Sequence, residues 1–455
     1  MQSLLKQLRQ GLFMVKSAQW LALLALPCMA LPAHAALTNF YTATGKLGLS
    51  VDGCGTLSVS CDVRVNKPSA TATVRAAFLL SASTGGTGYQ IPDGLMTLAG
   101  QPVNWDVVVA SSVVNNYNQR ADVTTFVRTA LSAAPAGITT MTVGEGTATA
   151  SIDGSVLVVV FDDPAQTSNT SVLLNFGAMN PSGDEFKITL ASPIDPAAAN
   201  AQFDMGLGIS YSYQSGGINQ ASTVTVNGQL LTSAAGGEDD GEGGDGALIT
   251  VGGTGDSNAD PADPTALPSV ALGARSDDEL YSLLPFITAS TTDIDVTTQN
   301  PSLNDNIFFA YFRTSAPAKV TGSPDIVLSE TATSHPVGSS HTVQAVVTDG
   351  SGTRLASTLV TFTVTSGPNQ GDTFTVLTDA SGLATFTYAS SAVGDDTISA
   401  SITVSGSTVD SNSVSVNWLA AGSNTSAVPT LNETALALLA LLLAGAVAVT
   451  ARRRA

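Results

Sequence analysis

The chain has 455 residues, 36 of them acidic against 17 basic, and carries a net charge of -19 at pH 7. A surface of that sign excludes the positive footprint that nucleic acid requires, and it leaves divalent cations as compatible ligands. Charged residues make up only 12% while 42 positions are glycine, a balance that suits short strands and turns rather than long charged helices.

Lys6, Arg9 and Lys16 precede an apolar run at residues 21–31, and Ala33-His34-Ala35 offers a small-x-small cleavage site. Residues 1–35 therefore read as a secretory signal peptide cut after Ala35. Cys28 follows Pro27, where lipid attachment would want a small residue, and reads as part of the apolar run. Two cysteines survive cleavage, Cys54 and Cys61, spaced to face each other across a tight hairpin around Gly53 and Gly55. In an oxidising compartment they should form a disulfide. A zinc site would need more ligands, and the remaining histidines, His335 and His341, lie far along the chain.

Residues 36–315 read as one large β-sandwich-like domain. Residues 51–63 alternate around the cysteines, and residues 71–80 place Val74, Ala76 and Phe78 on one face. Trp105 to Val109 reads as a strand, Asn115, Asn116 and Asn118 as a turn, and residues 121–127 as a short strand or helical turn. Residues 141–150 alternate cleanly. Residues 156–161 are wholly apolar, as a central strand buried on both faces would be, and Asp162-Asp163-Pro164 ends that strand. Strands are expected at residues 171–176, 185–190, 205–213 and 222–226. An acidic, glycine-rich insertion at 236–246 reads as a solvated loop. Asp162, Asp163, Glu238, Asp239 and Asp240 are the candidate calcium ligands, and calcium is the one cofactor the chain suggests, although the loop lacks the spacing of an ordered calcium loop. Residues 277–286 suggest a helical turn with an acidic start. Phe308, Phe309, Tyr311 and Phe312 read as core and edge residues closing this domain, with an exposed recognition patch as the alternative.

Residues 318–418 form a second, immunoglobulin-like β-sandwich of seven or eight strands, with turns at Asp349-Gly350-Ser351-Gly352 and Asp379-Ala380-Ser381-Gly382. Residues 419–427 are a short linker. The tail, residues 428–455, carries an apolar block at 435–449 followed by Arg452, Arg453 and Arg454. That pattern predicts a single C-terminal transmembrane helix with its end in the cytoplasm. The fold class is thus all-β, framed by an N-terminal signal peptide and this helix.

Two segments resemble known families. Val360-Thr361-Phe362, Thr378 to Tyr388 and Gly394 to Ala400 resemble, in order and spacing, the bacterial Ig-like domains repeated in invasin and intimin. That resemblance implies an extracellular stalk or spacer module, in some cases adhesive. Val428-Pro429-Thr430-Leu431 with Glu433, the apolar block and the arginines resembles the IPTL-type C-terminal sorting signal of Gram-negative bacteria. Asn432, Thr434 and Ala435 depart from its usual residues. The resemblance implies export, processing by an exosortase-like membrane protease, and either retention in the envelope or release. Residues 36–315 resemble, more loosely, uncharacterised bacterial surface domains, through Arg120 to Thr124, Leu157 to Pro164 and Asp277 to Tyr281.

No catalytic constellation stands out. Gly252-Gly253-Thr254-Gly255 lacks the lysine and helix of a phosphate loop. Adjacent carboxylates on a strand point to opposite faces and do not make a catalytic pair. The reading is a non-enzymatic, exported cell-surface or envelope protein with a structural or adhesive role and no nucleic-acid partner. Its partners would be the export machinery, the processing protease, the membrane, and surface glycans or matrix proteins. The alternative is a secreted carbohydrate-binding or glycan-active protein, which would expose Trp105, Tyr211, Tyr213 or the 308–312 aromatics on a flat face.

Overall fold

The computed structural model describes residues 37–420 except 112, 148–150, 181–182, 211–221, 237–248, 255–278, 302, 304, 330–331 and 405–406. The signal peptide, the acidic insertion with Glu238, Asp239 and Asp240, Tyr211, Tyr213 and the whole sorting signal lie outside the described residues, as does the predicted transmembrane helix. Among the described residues no helix is long and apolar enough to cross a membrane.

The strand Ile152–Asp162 organises the first 320 residues. It lies between Leu47–Cys54 and Thr73–Ser83, antiparallel to both. Successive side chains of a strand point to opposite faces. Leu157, Val159 and Phe161 enter one apolar cluster, with Val63, Val65 and Val143. Val156, Val158 and Val160 enter another, with Phe40, Leu174 and Phe309. Both faces are covered, as the unbroken apolar run predicts.

The same logic repeats one layer on. Asn306–Thr314 lies between Thr170–Phe176 and Phe203–Ser210. Phe309 and Tyr311 face the cluster shared with the first sheet. Ala310 and Phe312 face a third cluster, closed by Glu185–Leu190, Ser222–Val226 and Asp293–Gln299. The aromatics at 308–312 are all buried, in an interior strand rather than at an edge or an exposed patch. The expected single sandwich is therefore a stack of four sheets around three apolar clusters, because two of its strands are apolar on both sides. Close approach has a visible requirement at Gly206, where a Cβ would lie 2.1 Å from the Tyr311 ring.

Several local expectations change. The segments around the cysteines do not form a hairpin ladder. Leu47–Cys54 pairs with Ile152–Asp162, whereas Ser60–Lys67 pairs with Gly137–Gly144 in another sheet. Asp52 draws the two together by accepting from the Arg64 backbone and guanidinium, at 2.9 Å for the Nη2 contact. The Cys54–Cys61 disulfide, with Cα atoms 5.9 Å apart, thus links two sheets. Its loop is short, so replacing both cysteines with alanine should lower unfolding free energy by about 2.5 kcal/mol in urea titrations; an unchanged midpoint would contradict this.

Only Asn115, at φ 49°, sits in the predicted asparagine turn. Asn116 and Asn118 belong to the strand Asn116–Asp122, buried, and donate to the Ser83 and Gly177 carbonyls at 2.9 and 2.8 Å. A helix, Thr124–Leu131, follows and buries Val127 and Leu131. The expected helical turn near 280 is instead a strand, Leu280–Ser282, then a 3-10 turn, Leu284–Phe286. Glu279 does not cap it; its buried carboxylate accepts from the Gly236 backbone and the Thr250 hydroxyl.

From Ile326 onward a fourth apolar cluster serves an immunoglobulin-like sandwich. One sheet holds Gly322–Leu328, Ser340–Gly350 and Leu383–Ala389. The other runs through Thr373–Leu377, Leu359–Ser366, Gly394–Val404 and Val414–Leu419, with Ala332–Pro336 added in parallel. Trp418 is buried and donates its indole N–H to Asp396 at 2.7 Å. The two predicted turns share one device: Asp349 and Asp379 each accept from backbone amides two and four residues on, and Gly352 and Gly382 take positive φ. The Ser351 and Ser381 hydroxyls, which donate to the same carboxylates, and then those amides hold both carboxyls below the usual range.

The apolar clusters divide between residues 320 and 326, but the backbone does not. Thr38–Gly45 pairs in parallel with Ser407–Asp410, so one twelve-stranded sheet continues from the first module into the second.

Candidate functional site

A buried arrangement of charged and polar side chains lies at that junction. It is built from a bulge. In the ladder between Ile152–Asp162 and Thr73–Ser83, Val160 faces Ala76 but Phe161 faces Val74, leaving Arg75 as the extra residue. A bulge turns the side chains on its two sides to opposite faces. Val74 accordingly packs with the cluster of Val63 and Val143, apart from Ala76 and Phe78, which corrects the single face expected from alternation.

The released Arg75 side chain is 8% exposed and reaches two carboxylates: Asp162 of its own module at 3.0 Å and Asp410 of the Ig-like module at 2.9 Å. Tyr41 donates its phenol to Asp410 at 2.7 Å. The Ser407 hydroxyl donates to the Asn39 carbonyl. Burial alone would lower the Arg75 pKa, but Asp410 and then Tyr41 and Asp162 hold it above its ordinary value, so it stays charged. Burial, then the Asp410 charge, pushes the Tyr41 phenol well up, so it remains a donor. Burial also raises Asp162, with Arg75 opposing.

A cleft of about 590 Å³ opens beside this cluster, lined by Arg128, Leu131 and Ser132 from one module and Thr363, Gln370 and Thr373 from the other. Its lining contains neither histidine nor a thiol. The arrangement pairs charge with counter-charge across two modules, through charge-assisted hydrogen bonds that fasten one to the other.

The candidate calcium ligands are placed otherwise. Asp162 is turned to Arg75, and Asp163, 1% exposed, accepts from the Ser69 hydroxyl, the Ala165 amide and the Gln166 side chain at 2.5, 3.2 and 2.8 Å. The neighbours are directed apart and committed to protein donors, as a turn-ending aspartate pair would be. Among the described residues no group of three or more histidine, cysteine or acidic side chains could hold a metal ion. His335 and His341, far from the cysteines, do meet each other, with ring centroids 4.4 Å apart beside Trp418. Trp105, named for a sugar platform, is partly buried against the core; among the described residues the exposed large hydrophobics are all aliphatic.

Tyr41, Arg75 and Asp410 were not legible as a site. The only signal was a lone basic residue inside an apolar strand pattern, and strict alternation would have sent it to solvent.

Residues 426–454 match the IPTL-CTERM motif, a C-terminal sorting signal, in agreement with the resemblance seen at 428–455. No curated protein matches the chain. Among solved structures, the D0-D1 domain of intimin is similar at 14% identity, over 54% of this chain and 90% of that one, with a TM-score of 0.18. A tetra-tandem repeat from the extending region of a large adhesion protein is similar at 11% identity, over 83% and 75%, with a TM-score of 0.18. Domains 1–6 of the surface layer protein SbsC are similar at 13% identity, over 86% and 55%, with a TM-score of 0.17.

Proposed function

We propose that this is an exported protein of a Gram-negative cell surface, with a structural or adhesive and non-catalytic role. The observation that carries the reading is the sorting signal matched at 426–454. The layered β-body in front of it supports the same role. Its two modules share a sheet and a buried ion cluster, so the body can bear load without bending at the 318–322 connection. In this reading residues 1–35 are removed on export. An exosortase-like protease acts at the tail, and the mature protein stays in the envelope or is released.

Fractionation of expressing cells with intact-mass measurement tests this. The mature chain should begin at Ala36, lack some or all of the tail, and partition with the envelope or the medium. Deleting 426–455 should shift it between those fractions. Recovery of an uncut chain in the cytoplasm would end the proposal.

A further inference from the structure

Arg313 breaks the period of the strand Asn306–Thr314. Alternation puts it in phase with Phe309 and Tyr311, which face the cluster shared with the first sheet. A guanidinium in that phase is costly unless something accepts from it. Its Nε is buried and has no hydrogen-bond partner among the described residues. Asp204 lies directly across the ladder, but its Oδ2 accepts from the Gln202 side chain at 2.8 Å. Arg313, Asp204 and Gln202 line a hollow of about 360 Å³ together with Ser50, Asn66 and Thr254. The Ser50 hydroxyl accepts from the Asn66 backbone amide at 2.9 Å and meets the Thr254 hydroxyl at 3.4 Å, which joins three segments into one wall.

The edge of a guanidinium that carries Nε and one Nη presents two parallel N–H groups, and a carboxylate matches them best. Asp204 limits the charge that can enter. Beside it a singly charged carboxylate is tolerated better than a phosphate monoester, which carries about two charges. Ser50, Asn66, Gln202 and Thr254 are neutral donors and acceptors suited to hydroxyls. The volume lies at the small end of ligand sites, enough for one sugar ring. We propose that this hollow binds a sugar acid, a uronate unit of an acidic glycan, with its carboxylate on Arg313 and a ring hydroxyl on Asp204. The proposal rests on the adhesive reading above and gives it a ligand class. Its test uses purified protein and does not depend on where the cell places the chain, so the two can fail separately.

Galacturonate and glucuronate titrated into full-length protein, followed by ligand-observed NMR, provide that test. At least one uronate should bind saturably with a Kd on the order of 1 mM, as a ligand of about a dozen non-hydrogen atoms does. Galactose and glucose lack the carboxylate and should bind at least tenfold more weakly. So should alanine, which has a carboxylate and an ammonium but no hydroxyl. R313Q and R313M should each weaken uronate binding at least tenfold. Both should melt as wild type does, because the lost Nε–H has no partner to strand. R354A, which removes an exposed arginine of the Ig-like module, should bind as wild type does. The proposal is overturned if neither uronate binds below about 50 mM, or if the neutral sugars or alanine bind as tightly. It is equally overturned if binding persists undiminished in both Arg313 variants. Loss of the fold in both would also overturn it, since an arginine that the fold requires is not held in reserve for a ligand.

Discussion

Arg75→Ala is expected to cost roughly 3–5 kcal/mol of unfolding free energy, the penalty for removing one member of a buried ion pair and leaving the other charge uncompensated. Here two carboxylates would be stranded. Asp162 and Asp410 would face each other across the junction with only the Tyr41 phenol donating to Asp410. The Ig-like module has its own apolar cluster, so the loss should also separate the two modules. Urea titration followed by tryptophan fluorescence should change from one transition to two, the module of Trp418 resolving from that of Trp105. Replacing the whole cluster, as R75M with D162N and D410N, should recover most of the stability, because no buried charge is then left unpaired. A single transition in R75A with less than about 1 kcal/mol lost would show that the junction does not depend on these charges.

The protein should be more stable near pH 5 than near pH 8, and Asp305 should account for much of the difference. This carboxyl is fully buried, and burial raises its pKa to about 7, with the Ser222 hydroxyl only partly opposing. A folded-state pKa above the unfolded value near 3.9 means that the native state binds the proton more tightly. The stabilisation is complete below about pH 4 and is lost as the pH rises to about 7. The shift corresponds to about 4 kcal/mol. Asp184, raised to about 6 by burial, adds in the same direction. Asp305→Asn should therefore gain up to about 4 kcal/mol over wild type at pH 8 and nothing at pH 4. Its amide oxygen can still accept from Ser222, whose bond to Asp305 is 2.8 Å. Parallel slopes of stability against pH in the two proteins would rule this out.

How much of this could be read in advance depends on whether a residue obeyed its local period. The apolar run at 156–161 announced a strand buried on both faces, and the two Asp-x-Ser-Gly turns fell where side-chain capping and positive φ demand them. Arg313 was also readable in principle. It closes an apolar run in phase with Phe309 and Tyr311, where a guanidinium is out of place. Arg75 was not, since a bulge inverts the parity on which such reasoning rests. The strands Thr38–Gly45 and Ser407–Asp410 escaped notice because their pairing is remote in sequence. The four-sheet layering depends on which strands neighbour each other, and periodicity along a chain does not encode that.

The pairing of Tyr41 with Thr408 has a consequence for biogenesis. A ribosome releases the amino-terminal partner hundreds of residues before its mate exists. Until then one flank of Thr38–Gly45 stays open, a template for the wrong strand of another chain. Closure across a separation of 369 residues, the span of the Tyr41–Asp410 bond, is among the most non-local steps a chain of this length can make. Ser407–Asp410 is thus what seals that seam, and truncation anywhere upstream of it leaves the seam unsealed.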